Sequence, residues 1–272
     1  MAEIAGNDIR VSVLGCWAHS AAGPTTSFLL NTDSSTIVLD VGCDPIGNMR
    51  RLNIDPTAVN VVYISHLHSD HVSGLANFIF TRQLIGRAAS GTLAPLAVVA
   101  HSSIIGGARE LVAIQYPERT FAVDWTPVEV GEPHAIGEDV SINVFANTHT
   151  VPCFGSFVGF VGGRSVAFTS DTAPTPGHAE ILNECDLLIG ECFGTASECG
   201  PNIHDRGHST AEDLAALVGE VGPRYLIPFH FGEKYADTAS RGKLLSTCAG
   251  TTGTTVIDPV GQGSVVLGGN RT

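Results

Sequence analysis

Short runs of β-forming residues recur along the whole chain, each bounded by glycine, proline or asparagine. Many of these runs alternate apolar and polar positions and others are apolar throughout, which is typical of half-buried and fully buried strands. The pattern predicts strands at residues 9–14, 27–31, 36–41, 60–65, 96–100, 140–146, 157–161, 165–169, 187–189, 224–228 and 254–257.

Helical segments lie between these strands. The clearest covers residues 209–219, where Ser209 and Glu212 have the spacing of an N-terminal capping box. Leu214, Leu217 and Val218 then share one face of the helix. Further helices are predicted at about residues 71–86, 103–112, 177–183 and 237–247. Because strands and helices are interleaved without a Pro/Ser-rich linker, we expect one α/β domain with two sheets over residues 1–272.

Composition and charge narrow the classes of partner. Acidic residues outnumber basic ones 27 to 14, and the net charge of −13 repels polyanions at long range. Lysine occurs only at Lys234 and Lys243, and no basic cluster for nucleic acid is visible. Apolar runs such as residues 93–100 are far shorter than the roughly 20 residues that a membrane span needs. We expect no membrane and no nucleic-acid partner.

The N-terminus and the cysteines predict a cytoplasmic location. The segment MAEIAGNDIR has no apolar run of the signal-peptide type. The seven cysteines are an odd number and contain no CxxC pair. They are therefore interpreted as reduced thiols.

The strongest chemical signal is the segment SHLHSDH at residues 65–71, directly after an apolar run. In extended chain His66, His68 and Asp70 project to the same side. If a helix begins near Asp70, His71 turns to a second position. The arrangement can serve two adjacent metal ions.

Two ions need more ligands than this segment supplies. His149, Asp171 and His230 each follow a predicted strand and lie in a loop rich in Gly, Thr or Phe. Loops beyond strand ends are where α/β proteins place their sites. These three residues are therefore further candidate ligands.

The motif HLHSDH at residues 66–71 resembles the signature of the metallo-β-lactamase-fold hydrolases, and the segment IVLDVG at residues 37–42 is similar to the strand preceding it in that family. The resemblance implies an αββα sandwich of two mixed sheets, with the site at one edge and Asp40 orienting the cluster. It implies one metal held by His66, His68 and His149, a second held by Asp70, His71 and His230, and Asp171 as the bridge.

Four later segments resemble the successive motifs of tRNase Z and the related small cyclic phosphodiesterases. They are FTSDT at residues 168–172, CDLLIGEC at 185–192, GHSTA at 207–211 and PFHF at 228–231. The resemblance implies that Glu191 holds the ring of His208, which would donate a proton to the leaving group or bind a phosphoryl oxygen. It also implies a homodimer.

Two departures from tRNase Z bear on the substrate. The loop at residues 16–26 contains no Lys or Arg, where tRNase Z has a basic loop. Only 21 residues separate His149 from Asp171, enough for two strands and a turn but not for a long tRNA-binding arm. We therefore expect a small-molecule substrate.

The leading hypothesis is a dinuclear zinc hydrolase that acts on a small phosphodiester or cyclic phosphate with a metal-activated water oriented by Asp70. Manganese and iron remain alternatives to zinc. The same centre could instead hydrolyse a lactone, a thioester, a β-lactam or a haloaromatic compound. Cleavage of tRNA 3′ ends and noncatalytic metal binding rank lower. Candidate pocket-lining side chains are Trp17, His19, Phe154, Phe193 and Tyr235.

Overall fold

Two seven-stranded sheets form the framework of the protein in a computed structural model that describes residues 8–90, 93–137, 139–260 and 264–268. The first six strands are β1 (Ile9–Gly15), β2 (Ser27–Asn31), β3 (Thr36–Leu39), β4 (Val61–Ile64), β5 (Leu96–His101) and β6 (Val123–Val128). The next seven are β7 (His134–Ala135), β8 (Val140–Ala146), β9 (Phe154–Phe160), β10 (Ser165–Phe168), β11 (Leu187–Glu191), β12 (Tyr225–Phe229) and β13 (Thr255–Val256).

Both sheets are mixed. In the first, the order is β14-β1-β2-β3-β4-β5-β6, where β14 (Ser264–Leu267) pairs antiparallel with β1, and β3 to β6 are parallel. In the second, the order is β13-β12-β11-β10-β9-β8-β7, and β10 to β13 are parallel. Parallel strands place their carboxyl ends at one edge, so each sheet offers one edge rich in loops for a site.

Helices cover the two outer faces. They are α1 (Pro45–Arg51), α2 (Ser69–Val72), α3 (Leu75–Ser90), α4 (Ser102–Gln115), α5 (His178–Leu182), α6 (Ala196–Cys199), α7 (Ala211–Val221) and α8 (Thr238–Ala249). The predicted αββα sandwich is confirmed. Within the described residues, none of the helices combines the length and the hydropathy needed to cross a bilayer, and no cysteine forms a disulfide.

Alternation along the first sheet builds two apolar layers. Phe28 and Leu30 of β2 pack between the sheets, whereas Leu29 faces the layer that contains α3 and α4. In the layer between the sheets, Phe28 contacts Phe168 at 5.9 Å and Phe229 at 5.4 Å between ring centroids. Because these aromatic rings lie on both sheets, they fix the sheets against each other beside the loops that follow β10 and β12.

Three strands were missed by the pattern: β6, β7 and β14. Strand β6 contains Asp124, Thr126 and Pro127, so it shows no apolar run. It lies at the end of its sheet, where a proline needs no pairing partner. Val123 and Trp125 alternate with Asp124 and Thr126, and pairing with β5 makes this segment a strand in spite of its proline.

The predicted capping box is wrong by one residue. The helix begins after Thr210, whose side chain accepts from the Asp213 N–H while the Asp213 carboxylate accepts from the Thr210 N–H. Ser209 instead donates its hydroxyl to the carbonyl of Thr172 at 2.6 Å. That contact lies 37 residues away in sequence and could not be read from local spacing.

Candidate metal centre and catalytic site

Residues that follow β3 and β4 hold the histidine motif in place through hydrogen bonds. Asp40 follows β3 with φ 58°, and its carboxylate accepts from the Ser65 N–H at 2.8 Å and from the Ser65 hydroxyl at 2.6 Å. His71 Nδ1 donates to the same carboxylate at 2.6 Å, because a carboxylate only accepts. His71 therefore turns Nε2 towards the cluster, the usual arrangement of a metal-ligating histidine.

The motif itself changes from extended chain to helix, as predicted. His68 has extended dihedral angles and caps α2, which begins at Ser69. Asp70 and His71 then lie in the first turn of that helix. The ring of His66 packs against those of His68 and His71, with centroids at 4.8 and 4.1 Å.

The second sheet contributes the three isolated candidates. His149 follows β8, Asp171 follows β10 and His230 follows β12. Asp171 lies among the histidines: its Oδ1 is 3.1 Å from His71 Nε2, and its Oδ2 is 3.1 Å from His230 Nε2 and 3.8 Å from His66 Nε2.

The structure brings all seven candidate ligands together. One group, with all ligand atoms within 4.8 Å of one another, contains His66, His68, His149 and Asp171. A second such group contains Asp70, His71, Asp171 and His230. Asp171 belongs to both groups, which is the position that a bridging carboxylate would take.

The chemistry of this donor set fits cations. Four ring or carboxylate atoms of the candidate ligands are buried without a hydrogen-bond partner among the described residues: His66 Nε2, His71 Nε2, Asp171 Oδ1 and His230 Nδ1. Buried polar atoms without partners are costly and need an explanation. A metal ion placed among imidazole nitrogens and carboxylates would satisfy them, and this mixture of ligands suits a borderline-soft divalent ion.

The ionisation of the side chains in the cluster also favours the binding of a cation. Burial alone would raise the pKa of Asp171, but His230 and His71 hold it well below its usual range. Burial would lower the pKa of His71, but the carboxylates of Asp171 and Asp40 raise it to about 10. Burial and the neighbouring His71 lower the pKa of His66. The cluster thus supplies ionised carboxylate beside imidazoles whose protons a metal ion would replace.

His208 stands beside this cluster and is held by Glu191. Its Nδ1 donates to Glu191 Oε1 at 2.6 Å, and its ring stacks on that of His230 at 5.1 Å. Glu191 is 1% exposed, and its other oxygen accepts from the Thr172 N–H. With Nδ1 engaged, Nε2 is the nitrogen of His208 left for a ligand.

Of the candidate pocket-lining residues, Phe193 contacts the cluster, with its ring stacked on His208 at 5.3 Å. Trp17 is 5% exposed and packs edge-on against Phe231. Phe154 stacks on His101, and Tyr235 donates its hydroxyl to Glu198. His19 is exposed. The structure thus places one of the five aromatic or histidine side chains on His208.

Gly207 is a site residue that sequence reasoning missed. Its carbonyl accepts from His149 Nδ1 at 2.8 Å, which orients that ring. Its φ is +78°, and a Cβ there would lie 2.6 Å from His149 Nδ1. The sequence shows only that Gly207 precedes His208. The hydrogen bond that gives Gly207 its role joins residues 58 apart and could not be predicted from local spacing.

We expect Gly207→Ala to weaken zinc binding by about 10- to 100-fold, because the methyl group displaces His149 and breaks the bond that orients it. Competition with a chromogenic chelator measures this. Gly222→Ala is the matched control, since Gly222 has φ +64° in the left-handed region but nothing within 4 Å of its would-be Cβ. It should share the backbone strain of about 1–2 kcal/mol and keep wild-type zinc affinity. Equal zinc affinities for the two variants would contradict the role of Gly207.

Candidate His and Asp ligands at the loop-rich edges of two sheets, beside a histidine held by a glutamate, are typical of a metal-dependent hydrolase. The chain belongs to the β-lactamase superfamily: residues 35–231 match the model of the Beta-lactamase superfamily domain. Within it, the chain is a tRNase Z-like hydrolase with the metallo-β-lactamase fold.

Individual relatives agree with this family. A ribonuclease Z from Ignicoccus hospitalis is 27% identical over 279 residues, covering 84% of this chain and 89% of that protein. The metallo-β-lactamase-fold protein YhfI from Bacillus subtilis superposes with a TM-score of 0.75 at 18% identity, covering 96% and 99% of the two chains. A diphosphatase of the PhnP family superposes with a TM-score of 0.71 at 14% identity, covering 96% and 98%.

Proposed function

We propose that the protein is a dinuclear zinc hydrolase of small phosphodiesters or cyclic phosphates. The observation that carries the proposal is the His208–Glu191 pair, bonded at 2.6 Å beside the Asp171-centred cluster. Metal ligands alone would serve any electrophile, whereas an additional positioned imidazole suits a leaving alkoxide that must be protonated.

The proposed ligand sets follow the two groups of side chains. His66, His68 and His149 would hold one ion, Asp70, His71 and His230 the other, and Asp171 would bridge them. When bound, two divalent ions supply a nucleophilic water at neutral pH and neutralise charge on the phosphoryl group. Asp70, 19% exposed at its side chain, would orient the attacking water.

His208 would act on the leaving-group side of the phosphorus, opposite the attacking water. The Glu191 carboxylate fixes Nδ1–H, so Nε2 would carry the proton that passes to the leaving oxygen. Glu191 itself would remain a positioning residue, because Thr172 and His208 occupy its oxygens.

The surroundings of the site support a small substrate. The loop at residues 16–26 has no Lys or Arg, and the segment between His149 and Asp171 forms only β9, a tight turn and β10. Lys234 is paired with Glu198 at 2.5 Å. A long polyanion would find few cations to replace its counterions. Similarity to a ribonuclease Z makes RNA 3′-end cleavage the second candidate function.

Metal analysis tests the centre itself. Protein purified without chelator and supplemented with zinc should contain close to two ions per chain, because two groups of donors share Asp171. Mass spectrometry of the metal content measures this. Binding of at most one ion would contradict the dinuclear assignment.

A substrate panel tests the reaction. We expect the zinc-loaded protein to hydrolyse bis(p-nitrophenyl) phosphate and a nucleoside 2′,3′-cyclic phosphate, with lower kcat/KM for a lactone, a thioester and a haloaromatic compound. Precursor tRNA at physiological salt should have a lower kcat/KM than these two small phosphodiesters. Efficient 3′-end cleavage of precursor tRNA would favour the second candidate function.

A further inference from the structure

A stacked column of side chains leads from the metal cluster towards the surface. The rings of His230 and His208 are 24° from parallel, and those of His208 and Phe193 are 28° from parallel at 5.3 Å between centroids. The guanidinium carbon of Arg206 lies over the Phe193 ring, 5.6 Å from its centroid. Cation–π attraction favours this placement of the charge.

Backbone hydrogen bonds hold both outer members of the column. The Phe193 N–H donates to the Ser209 carbonyl at 3.0 Å, and its carbonyl accepts from the Gly232 N–H at 3.1 Å. Arg206 belongs to the turn at residues 201–207, where its N–H donates to the carbonyl of Ile203 at 3.2 Å. Ile203 is 3% exposed and anchors that turn. The turn therefore keeps Arg206 next to the site.

Apart from its contact with the Phe193 ring, the guanidinium of Arg206 has no partner among the described residues. Its side chain is exposed, and its guanidinium makes no hydrogen bond or ion pair with any described residue. Lys234, by contrast, pairs with Glu198. In a chain of net charge −13, an uncommitted guanidinium beside the catalytic histidine is available to an anionic ligand.

We propose that Arg206, supported by Phe193, binds a second phosphate group on the leaving-group side of the substrate. The inference rests on the proposed function, in which His208 faces the leaving oxygen. Because the guanidinium carbon is 5.6 Å from the Phe193 centroid and that centroid is 5.3 Å from the His208 centroid, Arg206 reaches within about 11 Å of His208. Its planar fork bonds phosphate in bidentate fashion.

The second phosphate would contribute to substrate specificity and not to the reaction itself. A leaving group of a few carbons that ends in a phosphate would span the interval from His208 to Arg206. A substrate without that phosphate would still be cleaved, because Arg206 does not touch the reacting atoms. Arg206 is thus a specificity-determining residue.

Calorimetric titration with two matched product analogues tests this. Propyl phosphate has one phosphate, and 1,3-propanediol bisphosphate has a second one three carbons away. We expect the zinc-loaded wild type to prefer the bisphosphate by roughly 10- to 100-fold, the range for hydrogen bonds to charged groups. Arg206→Gln should lose this preference while its affinity for propyl phosphate stays unchanged. Arg206→Lys should keep part of it.

Arg119→Gln is the matched control, because Arg119 also lies over a phenylalanine, Phe80 of α3, at 5.0 Å. This variant should keep the wild-type preference, and zinc chelation by the bisphosphate should be the same in every variant. An unchanged preference in Arg206→Gln would overturn the inference. An Arg206-dependent gain in affinity for the dinucleotide pUpU, without such a gain for 1,3-propanediol bisphosphate, would also overturn the inference.

Turnover of bis(p-nitrophenyl) phosphate separates this inference from the proposed function. The diester has no second phosphate, so its kcat should be nearly equal in the wild type and in Arg206→Gln. Failure of the wild type to hydrolyse any phosphodiester would contradict the proposed function. Normal hydrolysis combined with an unaltered binding preference would contradict only the role of Arg206.

Discussion

Asp171→Asn should lower kcat/KM for phosphodiesters by at least about 10³-fold and reduce the zinc content to one ion or fewer. Asp171 is 1% exposed, and its two oxygens lie 3.1 Å from His71 Nε2 and from His230 Nε2. The amide keeps the shape of the side chain but removes the negative charge and one acceptor oxygen. It therefore separates the bridging role from simple packing.

Metal analysis and steady-state kinetics on the same preparation measure both effects. Asp139→Asn is the control, since the Asp139 carboxylate also accepts several hydrogen bonds, from Ser34, Ser35 and Thr32, but outside the metal cluster. It should keep two zinc ions and wild-type turnover. An Asp171→Asn protein with two ions and full activity would remove the bridge from the mechanism.

His208→Ala should lower turnover by roughly 10²–10⁴ for a substrate with an alkoxide leaving group, the usual contribution of a positioned general acid. The loss should be much smaller for p-nitrophenolate, which departs without a proton. Zinc content should stay unchanged, because His208 is assigned to neither ion. Comparing kcat for the two leaving groups in the wild type and the variant measures the difference.

The neighbouring His204 provides the control for this test. His204 Nε2 lies 2.7 Å from Asp213 Oδ2, so it is another carboxylate-paired histidine of the same segment. His204→Ala should leave the ratio of the two rates unchanged. Equal losses for both leaving groups in His208→Ala would make His208 a substrate-binding residue, and no loss for either would place it outside the reaction.

Local sequence determined the ligand types and most of the framework. Period-two alternation identified β8, because the side chains of a strand point to opposite faces, and an apolar run identified β2. The spacing of HLHSDH defined its own geometry, since an extended segment followed by a helix start needs no distant partner. His149, Asp171 and His230 were found because each follows a strand, and strand ends are visible in the sequence.

Local patterns left open how these residues are held, and the tertiary structure decided it. The Gly207–His149 bond, for example, joins residues 58 apart. Thr210 caps the helix in place of Ser209, because the Ser209 hydroxyl donates to the Thr172 carbonyl. Strand β6 formed in spite of Pro127 because it pairs with β5 at the end of the sheet. Such features depend on contacts between segments that are distant in sequence, and local periodicity carries no information about those contacts.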